Sequence, residues 1–414
     1  MQLAYDHTVL EHFIPVAYEE LAHDLIHHLK LDESDYMRMA HALRRYYHHH
    51  FYSELVRLKT LYRPFNPDSD LLSRQTYSAR EYGALKGALV AAVTPLLEYA
   101  NYEELTPEVL HAAMNKTSPY GVEVSVDFDD FEEILLFYRG EAHRYDEKRH
   151  WRSLYLKKER IRVDVYRRLF LLLKPKQLED RAREIASREG RRIESVRASL
   201  RKNNVVLLEE ERQERIYMKL FKDIPHADLE MLFPNTKVKM TLKDKLKIGI
   251  TGGGGTIGAL ATLIGKLGTM MEPLSLLAAV GAFGGVLWRQ IKTVFTHRTR
   301  YMAQLAKNLY FYNLDNNIGV VTHLVDMAES EESKEALLSY LFLSKSPQPL
   351  PRRALDEAIE TYMMNTYNLP MNFEVDAGVR KLLELGLVHE SEAGLRVEHP
   401  GEALKRLHEL NAAS

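Results

Sequence analysis

The chain contains no cysteine, which excludes disulfides, iron–sulfur clusters and thiol catalysis and accords with a reducing compartment. Charge of one sign is also missing. A formal net charge of -2 over 414 residues gives no global reason to expect nucleic acid or an anionic surface as partner, so only local patches could carry such a role. The opening residues, MQLAYDHTVLEHFIP, lack a basic stretch followed by an apolar core. They are too acidic and too poor in arginine for an organelle transit peptide, so the numbered chain is expected to start as a cytoplasmic segment. No catalytic motif is recognised, which leaves enzymatic activity open, and neither a cofactor nor a metal is expected.

What is present reads as a globular chain. The length allows two or three domains, and 45% hydrophobic with 28% charged residues confines any membrane part to a small share of the whole. Residues 1–116 carry helical periodicity, as in YEELAHDLIHHLKL and YMRMAHALRRYYHHHFYSELVRL, and a third helix is expected in SAREYGALKGALVAAVTPLLEYA as far as Pro95. Over 117–245 the pattern turns to β-branched and aromatic runs, and an antiparallel α+β module is expected. Within it, 177–214 is a strongly charged insertion, read as a solvated face, with a docking arm as the functional alternative. After 246–294 come linking helices over 295–332. From 333 to 414 the order of three helices, two short strands and a last helix is that of a winged helix.

The glycine run TGGGGTIGALATLIGKLGTM decides how 246–294 is read. Gly253, Gly255 and Gly258 satisfy G-x-G-x-x-G, but no acidic strand end follows about 20 residues on, as a dinucleotide site needs. Gly265-Lys266 is followed by Leu267 rather than Ser or Thr, so the P-loop pattern fails as well. Two apolar stretches, Ile248 to Ile264 and Pro273 to Trp288, instead suggest a transmembrane helical hairpin. Lys245 and Lys247 stand before it, with Trp288 and Arg289 at its far interface, so both chain ends are expected on the cytoplasmic side of the inner membrane. Gly254 with Gly258, and Gly281 with Gly285, are spaced for close packing of two lipid-embedded helices. A buried helical hairpin and a nucleotide loop remain the alternatives.

Several longer stretches go further. HFIPV, DFDDFEEILLFYRG, IYMKLFKDIPHADLEMLFP with the lysine-rich TLKDKLKIG after it, the apolar hairpin, and YFYNLDNNIGVVTHLVDMAESEESKEALLSYLFL follow one another in order. In these the chain resembles the uncharacterised membrane-protein family of unknown function that includes transmembrane protein 143. The resemblance covers about residues 10 to 400 and implies a two-pass membrane protein with large soluble parts before and after the hairpin. It implies no reaction.

Candidate chemistry is sparse. Nine of the 18 histidines fall in the first 50 residues, and Glu20 with His23, Glu108 with His111, and Glu147 with His150 have the Glu-x-x-His spacing of di-iron bundles. At this density of Glu and His such pairs arise by chance. Arg139 of FYRG is read as a salt-bridged residue at a strand end or, more sharply, as an anion contact. Asp315, Asn316 and Asn317 of LDNNIG are read as ending one helix and capping the next. These four residues are the candidates for a shared polar pocket, and His323 with Asp326 form a generic polar pair one helical turn apart. From Ser333 onward nine Lys and Arg stand against twelve Asp and Glu, so nucleic acid is not expected there and a protein partner is preferred.

The expected fold is therefore mostly α, with a central antiparallel α+β module, a two-helix membrane hairpin and a C-terminal winged-helix-like domain. The expected function is that of an integral membrane protein acting as a scaffold or homo-oligomeric assembly in the lipid bilayer. The alternatives are a membrane-attached enzyme or ligand-binding protein using the α+β pocket and, less favoured, a nucleotide-binding protein.

Overall fold

The computed structural model describes residues 10–71, 74–106, 123–149, 158–203, 207, 214–235, 237–239 and 310–413. Helix α1 (Tyr18–Leu29) buries Tyr18, Leu21, Ala22, Leu25, Ile26 and Leu29, a spacing of threes and fours that gathers one apolar stripe. Asp32 caps the 30-residue α2 (Glu33–Tyr62) by accepting from the Asp35 N–H at 3.0 Å. Ser78 and Glu81 form a reciprocal capping box at the start of α3 (Ala79–Tyr99), which runs one turn beyond Pro95 instead of stopping there.

The remainder is mixed helix and antiparallel sheet. Strands β1 (Glu103–Glu104), β2 (Glu123–Ser125), β3 (Phe131–Arg149) and β4 (Lys158–Pro175) lead into α4 (Leu178–Glu189) and α5 (Ile193–Asn203). Then come β5 (Tyr217–Pro225), a 3₁₀ segment over His226–Leu232, β6 (Lys237–Lys239), β7 (Asn313–Asn316) and the 28-residue α6 (Ile318–Lys345). The C-terminal part holds α7 (Arg352–Tyr367), α8 (Val375–Glu384), the hairpin β8 (Val388–Ser391) and β9 (Gly394–Val397), and α9 (Pro400–Ala413). The main sheet has the order β1-β3-β4-β5-β7, with all neighbours antiparallel.

Alternation along the strands gives the sheet two apolar faces. Phe137, Phe170, Leu172, Met218 and Leu220 join a single core that also takes residues from every helix except α4 and α5. Leu136, Leu169, Leu171, Leu173 and Phe221 pack on the opposite side with Leu229, Leu232 and Phe233. The alternation slips by one residue at the row Gly140–Arg167–Asp223, where Gly140 (φ 71) and Asp223 (φ 54) flank Arg167. Beyond it Tyr166 and Ile224 face the same side as Leu169 and Phe221. A Cβ on Gly140 would lie 2.8 Å from the Phe13 ring, so glycine is required there both for its φ and for the close approach of the N-terminal segment.

Helix α6 runs through the core and buries charge at its centre. Glu331 accepts from the Ile14 N–H at 2.8 Å and pairs with Lys334 at 2.8 Å, and Lys381 of α8 reaches Glu332 at 2.8 Å and also Glu335.

Among the described residues no helix is long and apolar enough to cross a membrane. That overturns the membrane hairpin as part of the fold class, the expectation of an integral membrane scaffold, and the placement in the inner membrane with both termini cytoplasmic. Residues 246–294, on which the expectation rested, lie outside the described residues. The physical reason for the misreading is one of length. The stretches Ile248 to Ile264 and Pro273 to Trp288 count 17 and 16 residues, short of the about 20 that span a hydrocarbon layer. The helices that do have the length, α2, α3 and α6, each carry several charged residues and pack on one another.

Candidate functional site

The β7–α6 junction holds constrained backbone among polar side chains. Strand β7 pairs with β5 through Lys219↔Asn316 and Leu220↔Asp315, with an irregularity before Phe221↔Asn313. Asn317 then turns the chain into α6 at φ 49, ψ -115, a conformation that a non-glycine residue adopts only when its surroundings hold it there. Its backbone N–H donates to the Met218 carbonyl at 2.7 Å, and its Oδ1 accepts from the Met218 N–H at 3.1 Å, so the side chain continues the ladder to β5. The buried Tyr62 hydroxyl, shared with the Ile216 carbonyl, reaches Oδ1 at 3.1 Å, and Nδ2 donates to Asp68 at 2.5 Å.

Asp315 projects over the first turn of α6. A Cβ on Gly319 would lie 2.8 Å from its Oδ1, so glycine makes room for the carboxylate at the helix end whose amide dipoles favour negative charge. The other oxygen of Asp315 lies 2.7 Å from His323 Nδ1. Because a carboxylate only accepts, Nδ1 carries the shared proton, and whenever the ring is neutral Nε2 is an acceptor. Gly319, Thr322, His323, Asp326, Met327 and Ser330 repeat at threes and fours along α6 and with Asp315 line an open depression of about 510 Å³. Two carboxylates and an imidazole face it, and no lysine or arginine is among these residues.

The structure separates the residues expected to share one pocket. Asp315 lines the depression, Asn317 supports it from behind, and Asn316 faces outward and accepts from Lys219 Nζ at 2.9 Å. Arg139 lies on β3, three inter-strand steps or about 14 Å away. There its guanidinium stacks over Phe13 at 4.5 Å, donates to the Ala100 carbonyl at 3.2 Å and lies 3.8 Å from Glu331. Arg168 is its cross-strand partner and Lys222 the next one along, a row of like charges. Burial, with Arg139 and Arg167 adding to it, holds Arg168 below the ordinary guanidinium range. The membrane-packing residues Gly254, Gly258, Gly281 and Gly285, and the interface residues Lys245, Lys247, Trp288 and Arg289, lie outside the described residues.

Sequence reasoning missed the pairing of Asp315 with His323, because it joins a strand to a helix across eight residues and obeys neither periodicity. Gly319 is expected only as a possible first residue of the following helix and Ser330 is not singled out, although the spacing from Gly319 through His323 and Asp326 to Ser330 is a readable helical stripe. The charged insertion contains a second buried cluster. Arg181 of α4 is enclosed and donates to Asp130 at 3.1 Å, to Asp127 at 3.1 Å and to Glu184 at 3.2 Å, while Asn235 closes on Asp130 at 3.0 Å.

Residues 131–319 match the family described as a protein of unknown function (DUF3754). The match begins at β3 and ends on the second residue of α6, so it includes Arg139, Asp315, Asn316, Asn317 and Gly319. It carries nothing about a membrane or about the family that includes transmembrane protein 143. No solved structure matches the chain. The chain thus contains a domain of unknown function whose last residues form one wall of the depression.

Proposed function

We propose that the chain binds a small organic cation, of the primary-amine class, in the depression at the β7–α6 junction. The observation that carries this reading is the Asp315–His323 pair at 2.7 Å facing the same space as Asp326, with no cationic side chain among the lining residues. An ammonium group would sit between the two carboxylates, where charge-assisted hydrogen bonds are strongest. Thr322 and Ser330 offer hydroxyls for orientation, and Met327 offers an apolar wall. His323 Nε2 is the acceptor available to take a proton from the bound group. A bare metal ion suits the site less well. Among the described residues the His and carboxylate atoms close enough to share an ion belong to a different cluster, and the depression is sized for an organic ligand.

The test is calorimetric titration with a panel of aliphatic amines and the alcohols of matching shape. Amines are expected to bind and alcohols not, with Asp326→Asn and Asp315→Asn each weakening the amine by at least about tenfold, the equivalent of 1.4 kcal/mol. Equal binding of alcohols, or full retention of affinity in both variants, would refute the reading.

A further inference from the structure

We propose that His23, His27 and Glu33 form a site for one divalent transition-metal cation of the zinc class, at the corner where α1 meets α2. This site is separate from the depression and does not depend on it. The stretch HDLIH puts His23 and His27 four residues apart, on one face of α1 and one turn from each other, with ring centroids at 4.5 Å. Helix α1 then ends on Lys30 in the left-handed region (φ 53), whose N–H returns to the His27 and Ile26 carbonyls. Asp32 caps α2 immediately afterwards, and Glu33, its first residue, is brought back over the last turn of α1. One ligand atom from each of the three side chains lies within 4.8 Å of the others, a separation that rotamer adjustment closes to metal–ligand bonds of about 2.0–2.2 Å.

The donor set selects the ion. Two imidazoles with one carboxylate suit zinc, cobalt, nickel or copper, whereas magnesium and calcium prefer an all-oxygen shell. Exposure of all three residues leaves further positions for water. A supporting contact orients the first ligand: Asp24 Oδ1 lies 3.7 Å from His23 Nδ1, and its other oxygen accepts from the Tyr367 hydroxyl of α7 at 2.7 Å. A carboxylate fixed on the Nδ1 side directs Nε2 to the ion. Among the described residues the side chains of His27 and Glu33 make no other hydrogen bond or ion pair, so no existing side-chain bond would have to break. The neighbouring histidines are engaged elsewhere, His28 against the Tyr362 ring at 4.8 Å and His48 with Glu329 at 3.2 Å.

The test uses the full chain without a polyhistidine tag, stripped of metal, titrated with Zn²⁺ by calorimetry and with Co²⁺ by visible absorption. One equivalent is expected to bind with a dissociation constant on the order of micromolar, about -8 kcal/mol, and Co²⁺ is expected to develop ligand-field bands. His27→Ala should abolish both signals, while Asp24→Asn, a positioning change, should weaken binding by about tenfold. The double variant His48→Ala/His49→Ala should leave both unchanged. All of these positions lie at the surface, and equal melting in chelator would show that the variants are folded. Undiminished binding by His27→Ala, loss of binding in the His48/His49 variant, or no binding by the wild-type chain would each overturn the assignment.

Discussion

Replacing Lys381 with methionine is expected to expose how much of the core depends on one buried cation. The ammonium lies 2.8 Å from Glu332 and also contacts Glu335, and all three residues are nearly free of solvent. Methionine keeps the length of the stem and removes the charge, which leaves two carboxylates in a dry site, Glu335 with the Asn101 amide at 3.1 Å and Glu332 with the more distant charge of Arg380. Removing one partner of a buried pair costs about 3–5 kcal/mol. The cost depends on pH in a direction fixed by Glu332, whose carboxyl burial lifts from 4.5 to about 7 against the opposing pull of Lys381. A carboxyl raised in the folded state contributes stability that is fully present below its unfolded value of 4.5 and is lost as pH rises through about 7. At 1.36 kcal/mol per pH unit, that gap is worth about 3 kcal/mol. Without Lys381 the Glu332 carboxyl takes up its proton more readily, so the deficit of the variant shrinks in acid. Urea unfolding of both proteins at about pH 5 and about pH 8.5 should therefore show the larger difference at the higher pH. A deficit below about 1 kcal/mol at the higher pH, the size of a surface pair, or one equal at both, would refute the reasoning.

Other changes test other joints. Arg181→Leu strands the buried carboxylate of Asp130 and should cost on the order of 3 kcal/mol, with early loss of amide protection in α4 by hydrogen exchange. Gly378→Ala places a methyl group against Ser339 Oγ and 3.2 Å from the Glu335 carbonyl; about 1–3 kcal/mol of overpacking should appear as a lowered melting temperature. Asn317→Ala removes the bonds to Met218, Tyr62 and Asp68 at a positive φ and should cost about 2–3 kcal/mol. Asn317→Gly relieves the backbone alone and should fall between that variant and the wild type, as read from urea midpoints.

What could be read from sequence was local. The stripe Leu21, Ala22, Leu25, Ile26, Leu29 declares a helix face without help from the rest of the chain, and the alternation through Leu136, Phe137, Leu169 and Phe170 declares antiparallel strands. A glycine misled in one place and a polar run in another. In FYRG the glycine reads as a turn, yet β3 continues through Gly140 to Arg149, because a residue at positive φ inside a strand shifts the alternation without ending it. In LDNNIG the polar run reads as a cap between helices; Asn317 does stand at the N-cap of α6, but Asn313–Asn316 before it form a strand whose pairing partner, β5, lies about a hundred residues earlier, and the Asn317 side chain bonds across to Met218. Charge misled for the same reason. Arg181 and Lys381 look like solvated residues until Asp130, 51 residues before the first, and Glu335, 46 before the second, are seen to enclose them.

The boundary of the family match bears on how the matched segment folds. Residues 131–319 supply β3, β4, β5 and β7 but little of what covers the helix-facing side of that sheet. Phe137, Phe170, Leu172, Met218 and Leu220 are buried there against a core drawn largely from α1, α2, α3 and α6. A sheet with one bare apolar face does not stand alone. Five such side chains at about 1.5–3 kcal/mol each come to roughly 8–15 kcal/mol, as large as the roughly 5–15 kcal/mol that holds a whole domain together. If α6 still covered half of the face, the loss would be about 4–8 kcal/mol, enough to unfold a chain of ordinary stability. A fragment beginning at residue 107, without α1–α3, is therefore expected to lose its near-ultraviolet circular dichroism and to bind a hydrophobic dye. A fragment that kept a cooperative melt would show that sheet and helices have separate cores. The same boundary divides the depression, since Asp315 and Gly319 fall within the match and His323 and Asp326 on the next turns of α6. A chain sharing only the matched segment would keep one carboxylate and the strained asparagine behind it, and would have to find its imidazole in its own helix.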